Sequence, residues 1–220
     1  MESFLSTAQT IGITIAQILL AIYFCKQYLE KYQKEHTTDV SSAVIEQNKI
    51  DMEIISRMDY YKELLDADRI LLFEFHNGQH YSNYRSALKM SASYEVYRAG
   101  LENSREKCSN IPVSIMPKFI AEITNDGVCF CHDLEELKGQ MGNTYEFKKA
   151  LGIQSFYDVA IKDSDDHIIG FIAVQWNKPI EEFNELEINH LAWFMEEEVK
   201  KLTTMDVNQK KKRKLFRKAR

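Results

Sequence analysis

From residue 3 to residue 25 the chain carries no charged side chain, and that run constrains it more than any other feature. At 1.5 Å per residue, residues 4–25 would make about 33 Å of α-helix, the length a bilayer's apolar core demands. A cleaved signal is disfavoured: Glu2 stands where a basic region belongs, and no small-x-small site precedes Lys26. Ile22-Tyr23-Phe24 ahead of Cys25 is not a lipobox. Lys26, Lys31 and Lys34 follow the run while only Glu2 precedes it. The positive-inside rule therefore predicts a single-pass transmembrane helix in the cytoplasmic (inner) membrane, N-terminus outside and body in the cytoplasm. Thr7, Thr10, Thr14 and Gln17 share one helix face, with Gly12 nearby. In lipid such a stripe turns toward a second copy, which predicts a homo-oligomer. The other reading is a helix packed on protein within a larger assembly.

The 220 residues suffice for one ordinary domain with appendages. An apolar share of 45% supports a core and excludes disorder for most of the chain. Four cysteines, none in a C-x-x-C pair, fit a reducing compartment rather than a disulfide scaffold. Residues 209–220 hold eight Lys/Arg and no acid, leaving 20 basic against 33 acidic residues elsewhere. So acidic a body does not wrap nucleic acid with its main surface.

Residues 26–66 lack glycine and proline. Ile50, Ile54, Met58, Tyr61 and Leu65 recur at helical spacing and form an apolar stripe. Thr37-Thr38-Asp39 predicts a break and N-cap between two helices of a stalk. The stripe either docks on the following domain or pairs with a second chain as a short coiled coil, the latter slightly favoured.

After Asp68 the periodicity changes. Residues 70–75 predict a buried strand and His76-Asn77-Gly78 a turn. Residues 86–97 predict a second strand, a helical stretch follows Pro112, residues 128–131 make a short strand and residues 143–151 a short helix. A hairpin of residues 155–161 and 168–176 turns at residues 163–166. Asn184 and Glu187 form a capping box for a last helix with the stripe Ile188, Leu191, Met195, Val199 and Leu202.

The fold class is thus α+β. Leu151-Gly152-Ile153-Gln154-Ser155, Val159-Ala160-Ile161, Ile169-Gly170-Phe171-Ile172-Ala173-Val174, Phe183 and the closing helix carry a resemblance to the GAF domains of signalling sensors. It covers roughly residues 50–203. The resemblance implies an antiparallel sheet flanked by helices and a sensor of cyclic nucleotides, haem, bilins or small metabolites. A bilin-attachment cysteine context and the cyclic-nucleotide signature Asn-Lys-x-x-Phe-x-x-x-Asp are both absent. The predicted organisation is a transmembrane helix over residues 1–25, a stalk or coiled coil over 26–66, a GAF-like domain over 67–205 and a basic tail over 206–220.

The densest polar cluster runs from residue 75 to residue 85. His76, Asn77, His80, Tyr84 and Arg85, joined by Tyr94 and Cys131, are the candidate ligand-binding residues at a pocket rim, Arg85 suiting an anion. The alternative is a hydrogen-bonded surface loop. In Cys129-Phe130-Cys131-His132-Asp133, alternation puts both thiols on one strand face and Phe130 and His132 on the other. The C-x-C-H spacing is poor for zinc. A thiol enzyme would need Cys108, Cys129 and Cys131 as attacking and resolving thiols, as in the GAF-fold family that reduces free methionine sulfoxide. No phosphate-binding loop, G-x-S-x-G elbow or H-E-x-x-H is present.

Lys210, Lys211, Lys212, Arg213, Lys214, Arg217, Lys218 and Arg220 make the tail basic. It lies on anionic lipid, binds nucleic-acid phosphates, or is merely solvated. The reading that follows is a non-catalytic ligand-sensing or protein-docking module anchored at the membrane. The alternatives are a membrane-tethered nucleic-acid organiser of phage or bacterial replication type, and a thiol or metal enzyme. No particular cofactor is specified.

Overall fold

The computed structural model describes the backbone of residues 2–80, 84 and 86–218, and the side chains of residues 14, 15, 17–31, 42, 44–78, 80, 84 and 86–202. The first helix, α1, spans Glu2–Leu64. It runs unbroken through Thr37-Thr38-Asp39, so the N-cap expected there is not used. The remaining elements are β1 (Arg69–His80), β2 (Ser86–Tyr97), β3 (Ile111–Pro112), α2 (Pro117–Asn125), β4 (Val128–Cys131), α3 (Asn143–Ala150), β5 (Ser155–Lys162), β6 (Ile168–Trp176) and α4 (Glu185–Lys218). α4 continues through most of the expected basic tail, whose side chains lie outside the described residues.

Contacts divide the chain into two compact units, Met1–Lys49 and Ile50–Arg220. In the first, Ile15, Ile18, Leu19, Leu20, Ile22 and Phe24 are exposed on every side of the helix. Among the described residues no helix is long and apolar enough to cross a membrane. The expected span therefore has no support there, and side chains 2–13, its first half, lie outside the described set.

The second unit is built on one antiparallel sheet ordered β3-β2-β1-β6-β5-β4. Strand alternation sends two sets of side chains to opposite faces. One set, with Ile70, Leu72, Ile161, Ile172 and Val174, packs under Ile54, Met58 and Tyr61 of α1 and Ile188, Leu191, Met195 and Val199 of α4. The α1 stripe is thus covered by its own domain rather than by a second chain, which corrects the coiled-coil expectation for residues 50–65. Periodicity identifies an apolar face but not what covers it. α4 begins as expected, Glu187 N donating to Asn184 Oδ1 at 3.4 Å. The other face carries Leu71, Phe73, Phe156, Phe171 and Ala173 under Phe119 and Ile123 of α2 and Tyr145 of α3.

Two glycines fix close approaches between strands. A Cβ on Gly170 would collide with the Phe73 carbonyl, and one on Gly78 with that of Ala87. Gly78 therefore serves a ladder and not the turn expected at His76-Asn77-Gly78. β1 runs on to His80, and Asn77 pairs with Leu88.

Candidate functional site

The residues singled out on sequence grounds do not converge. His76 lies on the α1/α4 face of β1, its Nε2 2.8 Å from Ser91 Oγ, which also accepts from Asn110 N at 2.7 Å. Ser91 Oγ thus links the imidazole to the backbone. Tyr94 is on the same face and donates to Asp51 Oδ1 of α1 at 2.5 Å, tying helix to sheet. Burial and this carboxylate both push the phenol pKa upward. Asn77 and His80 are exposed, and Tyr84 is 89% exposed with a left-handed backbone. Cys131 projects to the opposite face, its thiol 2.9 Å from Asp133 O. Arg85, Arg220 and the side chains of Lys210, Lys211, Lys212, Arg213, Lys214, Arg217 and Lys218 lie outside the described residues.

The thiols are equally dispersed from catalysis. Cys108, Cys129 and Cys131 are buried and unbridged, and burial pushes each pKa upward, away from the reactive thiolate. His132 faces away from Cys129 and Cys131, with its Nδ1 2.8 Å from Ile180 O and its ring stacked on Phe183 at 4.4 Å. Among the described residues no zinc ligand set gathers around that strand. Among the described residues, Asp163, Asp165 and His167 do gather in the β5–β6 turn. Asp163 Oδ1 is already engaged there by the amides of Asp165 and His167, at 2.9 and 3.0 Å. These bonds hold its carboxyl below the usual range and fasten the turn.

A different site emerges on the α2/α3 face. Asp158 stands mid-strand in β5 and is wholly buried, where an unpaired carboxylate would be strongly disfavoured. Lys148, projecting from α3, reaches it at 2.6 Å and is itself only 6% exposed. The Lys148 ammonium also lies 3.5 Å from the Phe156 ring centroid, which repays part of its lost hydration. Desolvation pushes the Asp158 carboxyl upward while Lys148 pulls it back. Thr144, one turn before Lys148, and Gln175 of β6 complete a polar group set among Phe73, Met90, Met116, Phe119 and Phe171.

These residues line a cavity of about 20 Å³, in which Phe147 is the one wall residue only half buried. Thr144 Oγ1, Asp158 Oδ1 and Gln175 Oε1 are buried and lack hydrogen-bond partners. Native cores pair such atoms almost without exception, so these three call for a partner within the cavity, a water or a ligand group. A haem or a bilin does not fit these residues as placed, since pockets for ligands of even drug size occupy about 300–1,000 Å³. The sequence did not single out this group. Lys148 reads as one more solvated lysine of a short helix, and the available signal was a lone acid inside Phe156-Tyr157-Asp158-Val159-Ala160-Ile161.

No family model and no curated protein matches the chain. Solved structures do. The blue-light-absorbing form of the Thermosynechococcus elongatus PixJ GAF domain superposes with a TM-score of 0.56 and 17% identity, covering 77% of this chain and 94% of that one. A far-red cyanobacteriochrome photoreceptor gives 0.55 and 13%, covering 80% and 98%. The photoproduct state of GAF3 from Slr1393 of Synechocystis sp. PCC6803 gives 0.54 and 14%, covering 73% and 99%. The fold of the chain is a GAF fold.

Proposed function

We propose that this chain is a non-catalytic ligand-sensing module held at a membrane. The observation that carries the reading is the cavity between α3 and the sheet, where three buried polar atoms without hydrogen-bond partners belong to the lining beside the Lys148–Asp158 ion pair. None of Cys108, Cys129 and Cys131 is placed as a nucleophile, which supports a binding role over a redox one on this fold. The ring of exposed apolar side chains on α1 between Ile15 and Leu29 supports the anchor, because a helix apolar all round needs lipid or protein against it. The exposed face of Ile18, Ile22 and Leu29 suits packing against a second copy of the same helix. The basic end of α4 then adds contact with anionic lipid, each residue contributing about 1 kcal/mol near the surface.

A thermal-shift screen of the detergent-solubilised full chain against small metabolites tests the sensing role. Compounds that raise Tm should lose their effect in Ala173→Leu, which fills the cavity from β6. If no compound raises Tm, or hits persist in that variant, the pocket is not a sensor site. Sedimentation with phosphatidylserine vesicles tests the tail. A chain ending at Asp206 should bind them less, and equal binding would remove the tail from the reading.

A further inference from the structure

The site around Asp158 contains more acceptors than its own donors reach. Asp158 gives Oδ2 to Lys148, but Oδ1 meets no donor. Gln175 Oε1, on the neighbouring strand, is in the same position. Asp158 pairs with Ala173 and Phe156 with Gln175, so both acceptors project from one sheet face, one pair apart. Across from them α3 presents Thr144, whose hydroxyl is buried and free to donate.

We infer that this cavity recognises a compact, uncharged ligand end that bears an –NH₂ group beside an acceptor, such as a primary amide, a urea or an amino-heterocycle edge. The inference rests on the ligand-sensing reading above and adds the chemistry of the ligand. An ionised carboxylate and an amide oxygen only accept, so whatever meets them must donate twice. The Lys148–Asp158 pair is neutral as a unit. An added cation would face the Lys148 ammonium and an added anion the free Asp158 oxygen, both in a medium that screens poorly. The Thr144 hydroxyl supplies the donor for the ligand's own carbonyl or ring nitrogen. One water fits the present space and offers the same two donors and one acceptor. An amide reproduces its two donors while carrying a body, so it displaces the water without stranding either acceptor. Phe147 is the half-buried wall on which that body comes nearest the surface, and the unbranched thioethers of Met90 and Met116 can shift to admit it.

The test is calorimetric titration of the detergent-solubilised full chain with benzamide and benzoate, which share a shape and differ in donors and charge. Benzamide should bind at least tenfold more tightly than benzoate. Gln175→Leu, which replaces a partnerless acceptor by an apolar group of similar volume, should fold and weaken benzamide about tenfold. Equal or tighter binding of benzoate overturns the inference but leaves a sensor pocket. Undiminished benzamide binding in Gln175→Leu overturns it by placing the amide elsewhere. If neither probe binds while other screen hits are lost in Ala173→Leu, the ligand class is wrong and the sensing role stands. If no hit exists at all, both fall.

Discussion

The two faces of the central sheet solve opposite problems. Under α1 and α4 the sheet meets an almost purely apolar layer, and its polar links sit at the margin, as where Trp176 Nε1 donates to Leu65 O at 3.2 Å. Under α2 and α3 the layer is equally buried but carries two buried ion pairs, Lys148–Asp158 and Arg69–Glu95, with an amide and a hydroxyl. Covering sheet with helices does not require such groups, and burying them costs stability unless they are fully paired. The difference teaches that one face secures the fold while the other sacrifices some stability to keep a polar interior.

Breaking the Lys148–Asp158 pair should have the largest effect. Lys148→Met leaves Asp158 uncompensated and should cost about 3–5 kcal/mol in urea unfolding, with most of it recovered in Lys148→Met/Asp158→Leu. Because burial raises the Asp158 carboxyl above its unfolded value of 3.8, the loss in the single variant is absent below that pH and grows as pH rises through the folded value. A pH-independent deficit would argue against an ionised Asp158. Next comes the apolar face. Ile54→Ala or Leu191→Ala should cost about 2–4 kcal/mol by leaving a cavity, and a much smaller loss would mean that α1 or α4 is not firmly docked. Gln175→Leu should change stability by less than about 1 kcal/mol or raise it, the reverse sign from the apolar face. A loss as large as that of Ile54→Ala would erase the contrast between the faces. The smallest effect belongs to Asp66, which lies outside both layers and pairs with Arg98 at 2.6 Å and Lys178 at 2.7 Å. Hydrogen bonds from Lys178 and Arg98 lower its carboxyl below 3.8. Its contribution is present above pH 3.8 and lost as pH falls below it. After solvent screening Asp66→Asn should cost no more than about 0.5 kcal/mol, vanishing in high salt.

Much of the fold was legible because single strands and helices announce themselves locally. The bounds of β2, β4 and β6, and the N-cap at Asn184, follow from alternation and cap chemistry alone. So does the separation of Cys129 and Cys131 from Phe130 and His132. What local patterns did not convey was pairing at a distance. Gly78 looked like a turn residue, because its real constraint is the carbonyl of Ala87 across the ladder. His76 and Tyr94 looked like parts of a ligand rim, but one is held by Ser91 and the other by Asp51. Lys148 and Asp158 are ten residues apart and separately unremarkable, and only the packing of α3 on β5 makes them a site.

The strand order has a further consequence for how the molecule is made. β1 lies between β2 and β6, and its partner residues in β6 come about a hundred positions later, Arg69 facing Gln175 and Leu72 facing Ile172. At about 5–20 residues per second of synthesis, the inner edge of β1 waits roughly 5–20 s for its second neighbour. That edge carries Ile70, Leu71, Leu72 and Phe73, and in the meantime it is an open template for other chains. In the finished protein that edge of β1 is closed by β6, and the sheet ends in β4 on one side and, on the other, in β3, which pairs with only Lys89 and Met90 of β2. A chaperone that shields this hairpin until β6 emerges should therefore raise the yield of folded protein.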